Sequence, residues 1–362
     1  MTNYSINEST VKASQVKTCD ESRISFLSDE SPNDKDWDKG KSLSNHLSGI
    51  FTQYTDDKVL NKHGDRMKDC ADFLWFTRMV DTSTGELRLK LKQVHFCHVR
   101  TCPNCQKRRS LISKVRLMEA LPKIRASLKF STDFLFLTLT VKNCAITDLR
   151  ATIKHMNESW HRMAVHFRDY CPWILGWVVA TETTRGKDGS AHPHFHVLLM
   201  VKSTYFKKSE QYMSHADWMA LWKRSAKLDY DPSVHIQRAK AHKDKDADLS
   251  AVCETIKYST KVDEELLTND PDWICEYAKQ IHRLQLLRTG GVLAGVLKED
   301  YTNEEMLETL ESEDTWQELD ERVGFAWWVT FARYGRRKTP EELRAMAEAK
   351  RARLARNLPL LS

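Results

Sequence analysis

Three histidines stand on alternate positions of SAHPHFHVLL, residues 190–199: His192, His194 and His196. The run reads as a β-strand, and residues two apart on a strand face the same way. His194 and His196 therefore present two imidazoles to one side, with Phe195 and Val197 on the other. The preceding strand supplies a carboxylate, Glu182. If the intervening turn centres on Asp188 and Gly189, Glu182 lies directly across from His194; a slip of one residue turns it to the opposite face. Two imidazoles and a carboxylate can hold a divalent cation and leave coordination positions open to water and substrate, which is what metal-assisted catalysis requires. His192, with Pro193 after it at the strand's start, is either a further ligand or a phosphate contact. The competing reading is a set of partly buried, hydrogen-bonded histidines. Three in alternation, with an acidic residue across a hairpin, weigh against it.

Two other clusters can do chemistry. Glu254 and Tyr258 are four residues apart and share a helix face, with Lys257 and Lys261 beside them. A phenol titrates near about 10, and neighbouring positive charge favours the phenolate needed for nucleophilic attack. Taken alone, this pattern is better read as a packed tyrosine beside a Glu–Lys ion pair. CHVRTCPNC places Cys97, Cys102 and Cys105 in a C-x4-C-x2-C run with a proline in the knuckle, a spacing suited to tetrahedral zinc. Three thiolates need a fourth ligand, and His95 and His98 are close by. Cysteines 19, 144, 171, 253 and 275 are scattered and read as ordinary.

The elements that must position these residues follow from periodicity. DFLFLTLTV (133–141) is a strand, and the segment 147–167 places Leu149, Ile153, Met156, Trp160, Met163 and Phe167 at helical intervals. Strands over 173–183 and 193–201 form a hairpin. A helix over 214–228 has Ser214 as N-cap, and SVHIQRA alternates as a fourth strand. The order β-α-β-β-α-β predicts an α+β fold of the ferredoxin-like, split-βαβ type, an antiparallel sheet with its first and third strands central and both helices on one face. Four regions are expected: a disordered, Ser/Asp/Asn/Lys-rich arm over 1–60; a cysteine-rich zinc module with a basic helix over 61–118; a catalytic domain over 119–266, ending in the tyrosine helix at 246–266; and a mainly helical region over 267–362. In that last region Thr339, Pro340 and Glu342 cap a final basic helix, and FAWWVTFARY is a candidate strand.

The chain has 362 residues and a formal charge of +6. Its basic residues bunch at 107–116 and 333–338, so local patches matter more than the sum. Apolar runs are strand-length and no signal peptide is evident, so a cytoplasmic protein with no membrane partner is expected. Nine cysteines, an odd number, argue against a disulfide framework.

FLTLTVKN (136–143), HPHFHVLL (192–199) and ETIKYSTK (254–261), in this order and spacing, resemble the three motifs of the HUH endonucleases, specifically the rolling-circle replication initiators of small bacterial plasmids. The resemblance spans about 118–262. It implies that His194 and His196 bind the metal with Glu182 as third ligand, that Tyr258 is the nucleophile, and that Thr138 and Thr140 belong to the first motif. It implies that Glu254 acts as base toward water in the terminating cleavage. Similar initiators tend to carry a cysteine before an apolar stretch, which makes Cys70 the first choice for the fourth zinc ligand. The implied cofactors are Mn2+ or Mg2+ at the histidines and structural Zn2+ at the cysteines, with Lys107, Arg108 and Arg109 projected toward origin DNA. No G-x4-GK[ST] motif is present, so a host helicase and polymerase are the expected partners. A HUH transposase or relaxase, a non-catalytic zinc-containing DNA-binding regulator, and a zinc hydrolase of small substrates are the competing readings. Relaxases carry an early tyrosine, for which Tyr4 is the candidate.

Overall fold

Alternating β-branched, leucine and aromatic residues generate the central strands, and the computed structural model places them in two antiparallel sheets. It describes residues 25–239, 270–308 and 315–337, with Arg344 and Glu348. The expected tyrosine helix, with Glu254, Lys257, Tyr258 and Lys261, lies outside these residues.

The larger sheet contains β3 (Thr132–Thr140), β4 (Ile174–Arg185), β5 (Ala191–Lys202), β6 (Val234–Arg238) and β7 (Leu287–Gly291), in the order β6-β3-β5-β4-β7. The first and third strands of the βαββαβ unit are adjacent, as its chain order demands. β7 adds a fifth strand against β4. Its backbone comes so close that a Cβ on Gly176 would lie 2.8 Å from the Gly290 carbonyl oxygen. The β4–β5 turn closes where Gly186 N–H donates to Ser190 O at 2.8 Å, with Gly189 at φ +82°. That positive φ suits glycine.

Pleating divides the sheet's side chains between two layers. Phe195, Val197, Leu199 and Val201 pack against Met156, Trp160, Met163 and Phe167 of α5 (Leu149–Tyr170) and Trp218 and Trp222 of α6 (His215–Ala226). Ser214 and Asp217 form a capping box at the start of α6. On the opposite face Leu198 and Met200 meet Leu117 and Leu121 of α4 (Pro103–Ser127). His194 and His196 share that face, nearer the hairpin.

The smaller sheet is ordered β2-β1-β8-β9, from β1 (Phe73–Asp81), β2 (Leu87–Val94), β8 (Trp316–Trp328) and β9 (Arg333–Arg337). A short turn α1 (Leu27–Glu30) and helices α2 (Asp36–Gln53) and α3 (Lys58–Lys68) cover it. Helix α7 (Pro271–Ile281) bridges the two halves. Ile274, Cys275 and Ala278 enter the core of the smaller sheet, while Trp273 and Ile281 pack with Leu149, Ile153 and Ala191.

Two regional expectations are corrected. Residues 25–60 are not a disordered arm: Trp37, Leu47, Phe51 and Leu60 are buried in the core around the cysteines. The buried stripe of α2 also carries Lys41, Ser44 and Ser48, so its helical period is hidden by polar residue types. The region after 267 is not mainly helical among the described residues; it supplies one long helix, α7, and strands β7, β8 and β9. β8 includes the AWW of the candidate strand, but its first half is charged and pairs against β1 rather than against an apolar layer.

Lys41 is wholly buried. Its ammonium donates to the carbonyls of Lys68 at 2.7 Å and Cys70 at 2.9 Å and pairs with Asp72 at 2.5 Å. Lys41→Met is expected to leave these acceptors unmatched and to cost roughly 2–4 kcal/mol, read as a lower urea midpoint. An unchanged midpoint would contradict this.

Candidate active site

The register of the β4–β5 hairpin sets Glu182 opposite His194, the arrangement required of a turn centred on Asp188. Glu182 Oε2 lies 3.3 Å from His194 Nε2 and 2.8 Å from His196 Nε2. The other ring nitrogens are held from behind: His194 Nδ1 lies 3.1 Å from the His192 carbonyl oxygen, and His196 Nδ1 is 3.5 Å from Thr138 Oγ1. Thr138 and Thr140 stand opposite His196 and His194 on β3, so the two threonines flank the site. All three triad residues are buried. Burial opposes the charge on Glu182, yet hydrogen bonds from the two imidazoles hold its carboxyl down to about 2.

This donor set fits a divalent cation. Ligand bonds of about 2.1 Å place neighbouring donor atoms about 3.0–3.4 Å apart at octahedral or tetrahedral angles, close to the separations already present. His192 is not in the cluster; its Nδ1 lies 2.6 Å from Asn143 Oδ1.

The cysteines form a second cluster. Cys70 follows α3, Cys97 follows β2, and Cys102 and Cys105 occupy the N-cap and first turn of α4. Sγ separations are 3.6 Å for Cys70–Cys105, 3.6 Å for Cys97–Cys105 and 3.5 Å for Cys70–Cys102. Tetrahedral zinc with bonds of about 2.3 Å requires edges of about 3.8 Å, whereas a disulfide measures about 2.05 Å. The four sulfurs thus stand near a metal's geometry and far from a disulfide's. Burial disfavours a charge on Cys102, but hydrogen bonds from Cys105, Cys70, Cys97 and Ser44 pull its thiol well below the usual range. Neither His98, whose Nε2 lies 2.9 Å from Asn303 Oδ1, nor the exposed His95 joins the cluster. Cys171 and Cys275 pack in apolar cores.

The basic run divides three ways. Lys107 is exposed and pairs with Asp36 at 2.8 Å. Arg108, expected to face DNA, is instead buried, and donates to the carbonyls of Met306 and Glu308. Helical spacing puts it on the inner face of α4, beside the core positions Cys105 and Ile112. Arg109 donates to the His98 carbonyl at 2.8 Å and lines a cavity of about 80 Å³ that Glu182 also lines. Arg100, Tyr277 and Tyr301 are also in that wall. Burial and the charge of Glu182 push the Tyr277 hydroxyl up to about 12. Tyr277 and Tyr301 belong to no sequence motif, and Arg100 is a non-cysteine position of the knuckle; the three come from a loop, a helix and a coil that meet only in the folded chain.

Among the described residues, no helix is long and apolar enough to cross a membrane. Comparison with known proteins finds similar chains. A protein named Protein rep from Lentilactobacillus hilgardii is 37% identical over 218 residues, covering 59% of this chain and 67% of that protein. A Protein rep from Lactiplantibacillus plantarum is 34% identical over 269 residues, 68% of this chain and 82% of its own length. One from Bacillus amyloliquefaciens is 37% identical over 235 residues, 63% of this chain and 66% of its own. No solved structure matches. The family model described as Replication protein matches residues 88–336, a span that holds Glu182, His194, His196 and three of the four clustered cysteines. With more than half its length and both clusters inside or adjoining that match, the chain belongs to the replication protein family.

Proposed function

We propose that this protein initiates rolling-circle replication of a bacterial plasmid by nicking one strand at the origin. The observation that carries the reading is the Glu182–His194–His196 cluster on adjacent central strands, which supports the resemblance to the HUH initiators. Glu182, His194 and His196 hold the divalent cation, Mn2+ or Mg2+. Bound there, that ion supplies charge neutralisation and orientation of a scissile phosphate. Tyr258 is the nucleophile. Its phenolic oxygen attacks phosphorus, the bond to the 3′ oxygen breaks, and the departing oxygen takes a proton to become a free 3′-hydroxyl while the 5′ phosphate stays on the tyrosine. One phosphodiester is exchanged for another, so the bond energy is kept for rejoining. Lys257 and Lys261 favour the phenolate by their charge. In the terminating cleavage Glu254 takes the proton of an attacking water, so that the protein is released from the strand.

The four cysteines hold Zn2+ as a structural ion. The free 3′ end is extended by a host polymerase behind a host helicase, in the cytoplasm.

The test is incubation of the purified protein with a supercoiled plasmid carrying its own origin and Mn2+, followed by denaturing electrophoresis and peptide mapping. The expected product is a nicked plasmid whose 5′ end is attached to the peptide containing Tyr258. Origin binding without cleavage would instead identify a DNA-binding regulator, and a nick with a free 5′ phosphate and no adduct would remove Tyr258 from its role.

A further inference from the structure

Six basic side chains meet in one cavity of about 360 Å³: His63 and Arg66 from α3, His98 and Arg100 from the cysteine knuckle, and His282 and Arg283 from the segment after α7. The cavity's one acidic lining residue is Asp300. Solvated charges along one helix face would need no explanation. Here three segments remote in sequence are folded together, bringing the guanidinium charges of Arg66, Arg100 and Arg283 to one cavity.

The local field leaves its mark on both imidazoles. The His63 and His282 rings lie 5.3 Å apart. Burial, then the neighbouring His282 and Arg66, lowers His63 to about 4; burial, then Arg283, Arg150 and Arg100, lowers His282. His63 Nδ1 is buried and has no hydrogen-bond partner. Glu299 neutralises part of this charge through its 2.5 Å pair with Arg100, and Asp300 pairs with Arg109 at 3.5 Å. Arg66 and Arg283 are exposed. Arg66 donates to the Cys97 carbonyl, and no carboxylate pairs with either guanidinium among the described residues.

Position decides what the cavity takes. Arg100 and Ile281 line both this cavity and the smaller one that reaches Glu182. The two cavities therefore share a wall at Arg100, between the triad's Glu182 and the pocket beside α3 and α7. We propose that this pocket binds the phosphates of single-stranded DNA flanking the scissile position, with Arg66 and Arg283 as the principal contacts. The inference rests on the nicking reading for the identity of the strand.

The experiment measures fluorescence anisotropy of a labelled oligothymidylate with the full-length protein, without added divalent cation, across a salt series. Each lost phosphate contact on a single strand lowers the slope of log affinity against log salt by about 0.7. Arg66→Gln/Arg283→Gln is expected to weaken binding about tenfold near 0.1 M salt and to reduce the slope by about 1.4. Arg283→Glu alone, on an exposed side chain, is expected to weaken it at least as much as Arg283→Gln and covers the case in which the double variant fails to fold. Wild-type affinity and slope in both variants would overturn the site. Loss of affinity for a duplex alone would overturn the single-strand assignment.

Nicking of the origin plasmid is scored on the same preparations. A wild type that never nicks, but whose oligonucleotide binding depends on the two arginines, leaves this pocket standing and removes the initiator reading. A nicking wild type whose binding ignores them does the reverse.

Discussion

His196→Ala is expected to reduce metal-dependent strand cleavage by more than about a thousandfold, and to weaken Mn2+ binding in parallel. A residue that merely hydrogen-bonds a ligand costs roughly 10–100-fold when lost, and His196 is proposed as a ligand itself. Its Nε2 makes the shorter of the two contacts to Glu182, at 2.8 Å. Its ring stacks on Phe136 with centroids 5.7 Å apart, so the imidazole is fixed by packing before any ion arrives. Alanine leaves one imidazole and one carboxylate, too few protein donors to hold and orient a cation against water's competition. The change also empties space beside Phe136, which costs stability on the order of 2 kcal/mol. Titration calorimetry with Mn2+ and the nicking rate are therefore read at a temperature where the variant's far-ultraviolet spectrum equals wild type. Wild-type nicking in the variant would show that the triad is a structural hydrogen-bond cluster.

Cys102→Ser is expected to abolish zinc content and the cooperative melting of the smaller sheet and its helices. Structural zinc in small modules contributes roughly 10–16 kcal/mol of apparent binding energy that is coupled to folding. Cys102 sits at the N-cap position of α4 and touches both Cys70 Sγ and Ser44 Oγ, so its loss loosens α2, α3 and α4 at one point. The damage should not stay local. The same α4 carries Leu117 and Leu121 onto the larger sheet on the face that holds the histidines. Loss of nicking should therefore accompany loss of zinc, although Cys102 is no part of the triad. A purified wild type without zinc, and a variant melting as it does, would show instead four packed thiols.

Where the sequence was sufficient, the reason is periodicity. Alternation on two strands joined by a short turn ties each side chain to a face, so one turn position decides whether Glu182 meets His194. The strand order follows from the βαββαβ sequence and the handedness and connection rules that restrict it. The cysteine knuckle is local for the same reason: nine residues contain three of the four clustered thiols. Helix α2 was illegible because its inward stripe is built from Lys41, Ser44 and Ser48 as well as Trp37 and Phe51; a buried lysine satisfied by two carbonyls and a carboxylate has no hydrophobic signature. The first half of β8 was illegible because strand pairing stabilises a charged segment through backbone hydrogen bonds that carry no sequence code.

The sequence by itself determined the chemistry available: two imidazoles and a carboxylate on neighbouring strands, a zinc-type knuckle, and a tyrosine with a glutamate four residues before it. Only the tertiary structure decided what surrounds them. It brought Cys70 to the knuckle, buried Arg108 while placing Arg109 in the cavity that Glu182 lines, and gathered His63, Arg66, Arg100, His282 and Arg283 into one cavity. Strand alternation and short spacings act within a few residues and can be read along the chain. These other assemblies depend on packing between segments up to two hundred residues apart, roughly, where position is set by the fit of whole cores rather than by any local pattern.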